Sequence, residues 1–136
     1  MPLNVLIVDD SSVMRAMIIK TIRMSGLDLG DVYQAGNGKE GLDAARANWV
    51  DLVVADINMP VMNGEEMIDQ MKADPELSAL PTIVISTEGS ATRIQRLEKK
   101  GVTFIHKPFT PEIIRDAIQD LTGITGIGDS DESGAF

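Results

Sequence analysis

An α/β sandwich around a parallel central sheet is the fold class that this sequence predicts. Three observations lead there. Five strand-like and five helix-like segments alternate along the chain. The strand-like segments are near-continuous apolar runs, as in strands covered on both faces. Four of them also end on polar residues: Asp9-Asp10, Asp56, Ser86 and Lys107. In a parallel sheet the carboxyl ends of the strands share one rim, and the ligand crevice lies outside that rim.

The first strand is Val5-Leu6-Ile7-Val8. Val13, Met14, Met17, Ile18 and Ile22 then repeat at helical spacing, with Ser11 or Ser12 as N-cap and Gly26 as the stop. A second strand is expected over 32–35. A helix follows over 39–48 with Leu42 and Ala45 inward, and a third strand over 51–56. Met59-Pro60 and Asn63-Gly64 mark a loop before a helix carrying Met67, Ile68 and Met71. Leu80-Pro81 precedes the fourth strand, which runs through Ile83-Val84-Ile85 into Ser86. The next helix turns Ile94 and Leu97 inward and Arg93, Arg96, Lys99 and Lys100 outward. The fifth strand, Val102 to His106, meets Lys107-Pro108. Thr110-Pro111 starts the last helix, lined by Ile113, Ile114, Ala117, Ile118 and Leu121. Parallel neighbours require helical crossovers, almost always right-handed. Residues 1–121 form one expected domain. Residues 122–136, rich in glycine and acid, form an expected flexible tail.

Composition narrows the function classes. The 136 residues carry a formal net charge of −9, which disfavours nucleic acid and anionic membranes as partners. With no cysteine, disulfides and thiolate metal sites are excluded. No basic leader or membrane-spanning apolar run is visible, so a reducing cytoplasm is the expected compartment.

The polar strand ends carry the chemistry. Asp9, Asp10 and Asp56 are expected to converge. Two carboxylates about 4 Å apart repel by about 4 kcal/mol at an effective dielectric near 20. A proton or a cation must relieve this, and oxygen-only ligands favour a hard ion, Mg²⁺. The plain alternative for Asp9 and Asp10 is that they cap the first helix. Asp56 is the candidate nucleophile toward a phosphoryl group, forming an acyl phosphate. Lys107 supplies positive charge and Ser86 a hydroxyl donor, which suits phosphoryl transfer, a reaction of positioning and charge neutralisation. His106, the only histidine, is expected at a surface position with no catalytic role.

Four stretches carry a resemblance: Val8-Asp9-Asp10-Ser11-Ser12-Val13-Met14-Arg15; Asp56-Ile57-Asn58-Met59-Pro60-Val61-Met62-Asn63-Gly64; Ser86-Thr87-Glu88; and Lys107-Pro108-Phe109. Over about residues 3–121 the chain resembles the receiver domains of two-component response regulators, most of all the single-domain chemotaxis branch. The resemblance implies a five-stranded sheet of flavodoxin-like order 2-1-3-4-5. It implies Asp56 as phosphoacceptor, with Asp10 binding Mg²⁺ directly, Asp9 through water and Asn58 through its backbone carbonyl. Ser86 and Lys107 would grip the phosphoryl group, and Asn58 and Glu88 would tune its lifetime. The Lys107–Pro108 bond would be cis, and Phe104 would be the switch aromatic coupled to Ser86. A histidine kinase would be the phosphodonor. A downstream protein, such as a flagellar switch component, would dock on the helix 4–strand 5–helix 5 face through Arg93, Arg96, Leu97, Phe104 and His106. A phosphatase is a further expected partner, and a monomer the expected state. The segment Lys100-Gly101-Val102-Thr103-Phe104 is one residue shorter than the family's usual pattern, which bears on the register of Phe104.

Other readings have specific weaknesses. A relay or phosphate-sink receiver outside chemotaxis shares every motif. A Mg²⁺-dependent phosphohydrolase would carry its nucleophile on the first strand as Asp-x-Asp, which Asp9-Asp10-Ser11 does not match. A degenerate binding module would not keep the full acidic, hydroxyl and lysine set. A flavin-binding protein would need a Gly- and Thr-rich turn where Asp9 to Met14 stands.

Overall fold

The computed structural model describes residues 2–123. Its elements run β1 Leu3–Val8, α1 Ser12–Met24, β2 Leu29–Ala35, α2 Gly38–Ala47, β3 Leu52–Ala55, α3 Gly64–Ala73, β4 Thr82–Ser86, α4 Ala91–Glu98, β5 Thr103–His106 and α5 Pro111–Thr122. The five strands form one sheet in the order β2-β1-β3-β4-β5, and every neighbouring pair is parallel. The order reverses between β1 and β3, which is where such sheets hold ligands.

Strand alternation sorts the core into layers. Val5, Ile7, Val54 and Ile85 pack with Ile18 and Ile22 of α1 and Ile114 and Ile118 of α5. Leu6, Val8, Val53 and Ala55 pack on the opposite face with Leu42 of α2 and Met67 and Met71 of α3. A third cluster joins Ile57, Ile68, Val84, Leu97 and Val102, with Phe104 against it. Each fully buried aliphatic side chain contributes roughly 1.5–3 kcal/mol of transfer free energy, so these layers hold the rim in place.

Each helix starts at a side-chain cap. Ser11, Asn37, Asn63, Ser90 and Thr110 each accept a backbone N–H three residues on. Asn63 and Glu66 complete a reciprocal capping box at α3. Pro111 occupies the first turn of α5, where a missing N–H is harmless.

Several expectations are corrected. β2 begins at Leu29, not 32, because the Asn4 side chain accepts the Asp31 N–H at 2.8 Å and extends the pairing past a register shift. Val13 (72% exposed), Met17 (52%) and Ile113 (48%) are not core. On α1, Ile18 and Ile22 are buried and Met14 packs beside them, forming one i, i+4 row toward the sheet. Val13 and Met17 belong to the neighbouring row, turned about 100° away. Asn48 caps α2 rather than extending it; α1 ends at Met24 with Ser25 as its C-cap, directly before the predicted stop. Gly26 still provides the positive φ after that cap. α5 runs to Thr122. The expected tail lies, beyond Gly123, outside the described residues.

Candidate functional site

The rim of the sheet gathers side chains from four strand ends. β1 delivers Asp9, only 2% exposed. Its Oδ1 accepts the Ser11 N–H at 2.9 Å, while Oδ2 is buried with no hydrogen-bond partner. Burial pushes the Asp9 carboxyl above its usual range, the Ser11 N–H opposes this, and the nearby Asp56 charge adds to it. β3 delivers Asp56, whose Oδ1 accepts the Ile57 N–H at 2.7 Å. Lys107 follows β5 and answers both carboxylates. Its Nζ donates to Asp56 Oδ2 at 3.2 Å and lies 3.9 Å from Asp9 Oδ2. The Lys107–Pro108 bond is cis. β4 delivers Ser86, 1% exposed, whose Oγ accepts the Glu88 N–H at 3.1 Å.

The backbone around these groups is pinned. Asp56 N–H donates to Val8 O at 3.0 Å, Asp9 N–H to Ala35 O at 3.1 Å and Lys107 N–H to Ser86 O at 3.0 Å. The start of α3 approaches the Asp56–Ile57 peptide so closely that only glycine fits. Gly64 N–H donates to Ile57 O at 2.8 Å. A Cβ at Gly64 would meet Asp56 O, and would stand 3.0 Å from Ile57 Cα. Between Ile57 and Gly64 the chain passes exposed Asn58 and then Val61, a β-branched residue at φ 68. That conformation costs roughly 1–2 kcal/mol.

The structure thus brings Asp9, Asp56, Ser86 and Lys107 to one rim. Asp10 sits exposed at the start of the same turn, and its charge reaches Asp9. A closed three-carboxylate shell is not formed: among the described residues no group of three or more His, Cys, Asp or Glu side chains is assembled around one point. A hard cation fits the donors. Asp9 Oδ2 is a buried carboxylate oxygen without a hydrogen-bond partner, and every other available ligand atom at this rim is oxygen.

Phe104 is half-buried, in register with Val84, and its ring meets His106 edge-on at 4.8 Å. His106 is exposed, as expected. Three of the five residues expected on the docking face stand differently. Leu97 is fully buried. Arg93 and Arg96 are ion-paired to carboxylates, Arg96 while still half-exposed. Arg96 Nε and Nη2 clasp Glu65 of α3 at 2.6 and 2.8 Å, and Arg93 Nη1 donates to Glu88 at 3.0 Å. Lys100 Nζ joins the cluster through Glu65 at 3.1 Å and Asp69 at 2.6 Å. Sequence reasoning also passed over Arg15, whose Nη1 donates to the Asp9 carbonyl at 2.6 Å while Nε donates to Gln34 at 3.0 Å. Its place four residues after the Ser11 cap, beside the acidic turn, was the available signal.

Comparison with known proteins agrees with this geometry. A family described as the response regulator receiver domain matches residues 5–119. The chain is 37% identical over 129 residues to a chemotaxis protein CheY homolog of Campylobacter jejuni, spanning 93% of this chain and 97% of that protein. It is 35% identical over 123 residues to chemotaxis protein CheY1 of Helicobacter pylori, spanning 89% and 98%. The solved structure of Vibrio cholerae chemotaxis protein CheY4 superposes with a TM-score of 0.77 at 31% identity, covering 89% of this chain and 99% of that one. The chain belongs to the response regulator receiver domain family, and its curated relatives are CheY chemotaxis proteins.

Proposed function

We propose that this receiver domain is a phosphorylation switch of the chemotaxis type, accepting a phosphoryl group on Asp56 from a histidine kinase and signalling by protein contact. The observation that carries the proposal is Lys107, held between Asp56 Oδ2 and Asp9 Oδ2 at 3.2 and 3.9 Å. A lysine on a nucleophilic carboxylate, beside a second buried carboxylate and a buried hydroxyl, suits phosphoryl transfer and little else.

The residues divide the work. An Asp56 carboxylate oxygen attacks phosphorus. The bond from phosphorus to the donor nitrogen breaks, its electron pair stays on the donor imidazole, and an acyl phosphate forms. Lys107 follows the charge from carboxylate to phosphoryl oxygen. Asp9, Asp10, Asp56 and the Asn58 carbonyl are the groups that would hold Mg²⁺, which when bound supplies positive charge to the phosphoryl oxygens and the carboxylates. The phosphoryl group adds about −1.5 to −2 of charge. Ser86 then donates its hydroxyl to it and gives up its bond from the Glu88 N–H. Phe104 pairs with Val84, two register positions from Ser86, and transmits the change to the β5 surface. On the other flank, an apolar groove of about 320 Å³ lies beside Lys107, formed with Met14, Met17 and Phe109. Membrane insertion has no support among the described residues, where no helix is long and apolar enough to cross.

Intact mass after incubation with acetyl phosphate and Mg²⁺ tests the reading. One added phosphoryl group, absent in Asp56→Asn, is the expected result. No adduct in the wild type, together with no complex with beryllofluoride, would refute it. Repeated turnover of varied phosphate esters would instead identify a phosphohydrolase.

A further inference from the structure

The loop after β4 is tied to α4 by one side chain that the reaction above does not use. Arg93 Nη1 donates to Glu88 Oε1 at 3.0 Å. The other Glu88 oxygen accepts the Ser90 N–H, at the N-cap of α4, at 3.0 Å. The Glu88 backbone N–H in turn donates to Ser86 Oγ at 3.1 Å. Glu88 therefore belongs to the wall of the Asp56 site, while its carboxylate is anchored on α4. The side chains are 27% and 17% exposed, so the pair is shielded more than an ordinary surface pair.

A second contact shows why Arg93 points this way. Its Nε is buried without a hydrogen-bond partner and lies 3.9 Å from Glu65 Oε1. Glu65 is already occupied by Arg96 at 2.6 and 2.8 Å and by Lys100 at 3.1 Å. The carboxylate on α3 attracts the guanidinium without capturing it, which leaves Nη1 for Glu88. An unsatisfied buried N–H is costly, so the arrangement is held by its two carboxylates together rather than by either alone.

We propose that Arg93 is a positioning residue: it keeps the Glu88 carboxylate on the N-terminus of α4 rather than over Asp56, and so sets how readily an anionic phosphodonor reaches Asp56. The proposal rests on Asp56 being the phosphoacceptor. Without Arg93 the Glu88 carboxylate is held only by the Ser90 N–H and its charge is no longer balanced, which leaves one negative charge to act on an incoming dianion. The resulting repulsion, screened by salt, corresponds to about a twofold to tenfold slower reaction.

The test is the rate of phosphorylation by acetyl phosphate at saturating Mg²⁺. It compares the wild type with Arg93→Ala, Arg93→Lys, Glu88→Gln and the Arg93→Ala/Glu88→Gln pair. Arg93→Ala is expected to slow the reaction about twofold to tenfold. Arg93→Lys, which keeps one donor and the charge, recovers most of that loss. In the Glu88→Gln background, Arg93→Ala changes almost nothing. Equal slowing in both backgrounds overturns the proposal, because Arg93 then acts as a bare charge. An unchanged rate in Arg93→Ala overturns it too, as does an Arg93→Lys rate no better than alanine. A wild type that accepts no phosphoryl group refutes the Asp56 reading and this one with it. A wild type that accepts one, with Arg93→Ala unaffected, refutes only the role of Arg93.

Discussion

Replacing Glu65 by glutamine removes the charge on which α4 is strapped to α3, and the cost can be worked from the structure. The Glu65 side chain is 14% exposed and meets Arg96 through two bonds and Lys100 through a third. The Arg96 hydrogen bonds are the largest cause holding its carboxyl down to about 2 from an ordinary 4.5; partial burial opposes them and Lys100 reinforces them. A carboxyl lowered in the folded state stabilises the fold when ionised. Its contribution is complete above about pH 4.5 and is lost as the pH falls from there toward about 2. The linkage ceiling is about 3 kcal/mol. Arg96, however, is 51% exposed, and solvent-screened pairs are worth about 0.2–1 kcal/mol each. Glu65→Gln at pH 7 is therefore expected to cost about 1–2 kcal/mol, a fall in Tm of roughly 3–8 °C. Urea unfolding of both proteins at pH 7 and pH 3 measures it, and the gap between them should shrink by about half at pH 3. A gap below about 0.3 kcal/mol at pH 7, or one equally large at pH 3, would show that the carboxylate charge is not what fastens the two helices.

Three further outcomes are expected. Gly64→Ala drives a Cβ against the Asp56–Ile57 backbone, so it should lower stability by about 1–3 kcal/mol and slow acetyl phosphate labelling; an unchanged urea midpoint would contradict the close approach. Val61→Asn relieves a β-branched residue at φ 68, and a gain of about 1 kcal/mol in denaturant unfolding is expected. Asp9→Asn removes a buried anion whose Oδ2 has no hydrogen-bond partner. It should raise stability by about 1 kcal/mol in Mg²⁺-free buffer and raise the Mg²⁺ concentration needed for labelling; lower stability would mean that the Lys107 contact outweighs the desolvation of Asp9.

The sheet and the rim were legible because their signals are local and redundant. Short apolar runs leading into Asp9, Asp56 and Ser86, and the mixed segment Val102 to His106 leading into Lys107, mark both each strand and its polar end, and alternation with helices makes the strands parallel. Helix faces were less legible. Periodicity marks Val13 and Met17 as apolar on α1, but it does not say which i, i+4 row meets the sheet. The row holding Ile18 and Ile22 does. Long cationic side chains were the least legible of all. Arg93 and Arg96 fall on the outer side of α4 by spacing, yet their guanidinium groups lie far from their own Cα atoms. A carboxylate 31 residues away in sequence, Glu65, sets where Arg96 points.

Backbone register, not the length of the turn before β5, fixes where Phe104 points. Parallel pairing sets Val84 beside Phe104 and Ser86 beside His106. Alternation along β5 then puts Phe104 and His106 on one face, and buried Ile105 on the other with α1 and α5. Phe104 is thereby committed to the cluster of Ile57, Val84 and Leu97 whatever the turn's length. Ile57 directly follows Asp56 and Leu97 lies on α4, so this cluster touches the site at one end and the strapped helix at the other. Ser86 reaches the same helix by a polar path, through the Glu88 N–H and the Glu88–Arg93 pair. A displacement of the Ser86 hydroxyl would act on α4 along both paths at once, one through packing beside Phe104 and one through charge. The two differ in salt dependence: ionic strength weakens the exposed part of the charged path and leaves the packed one intact.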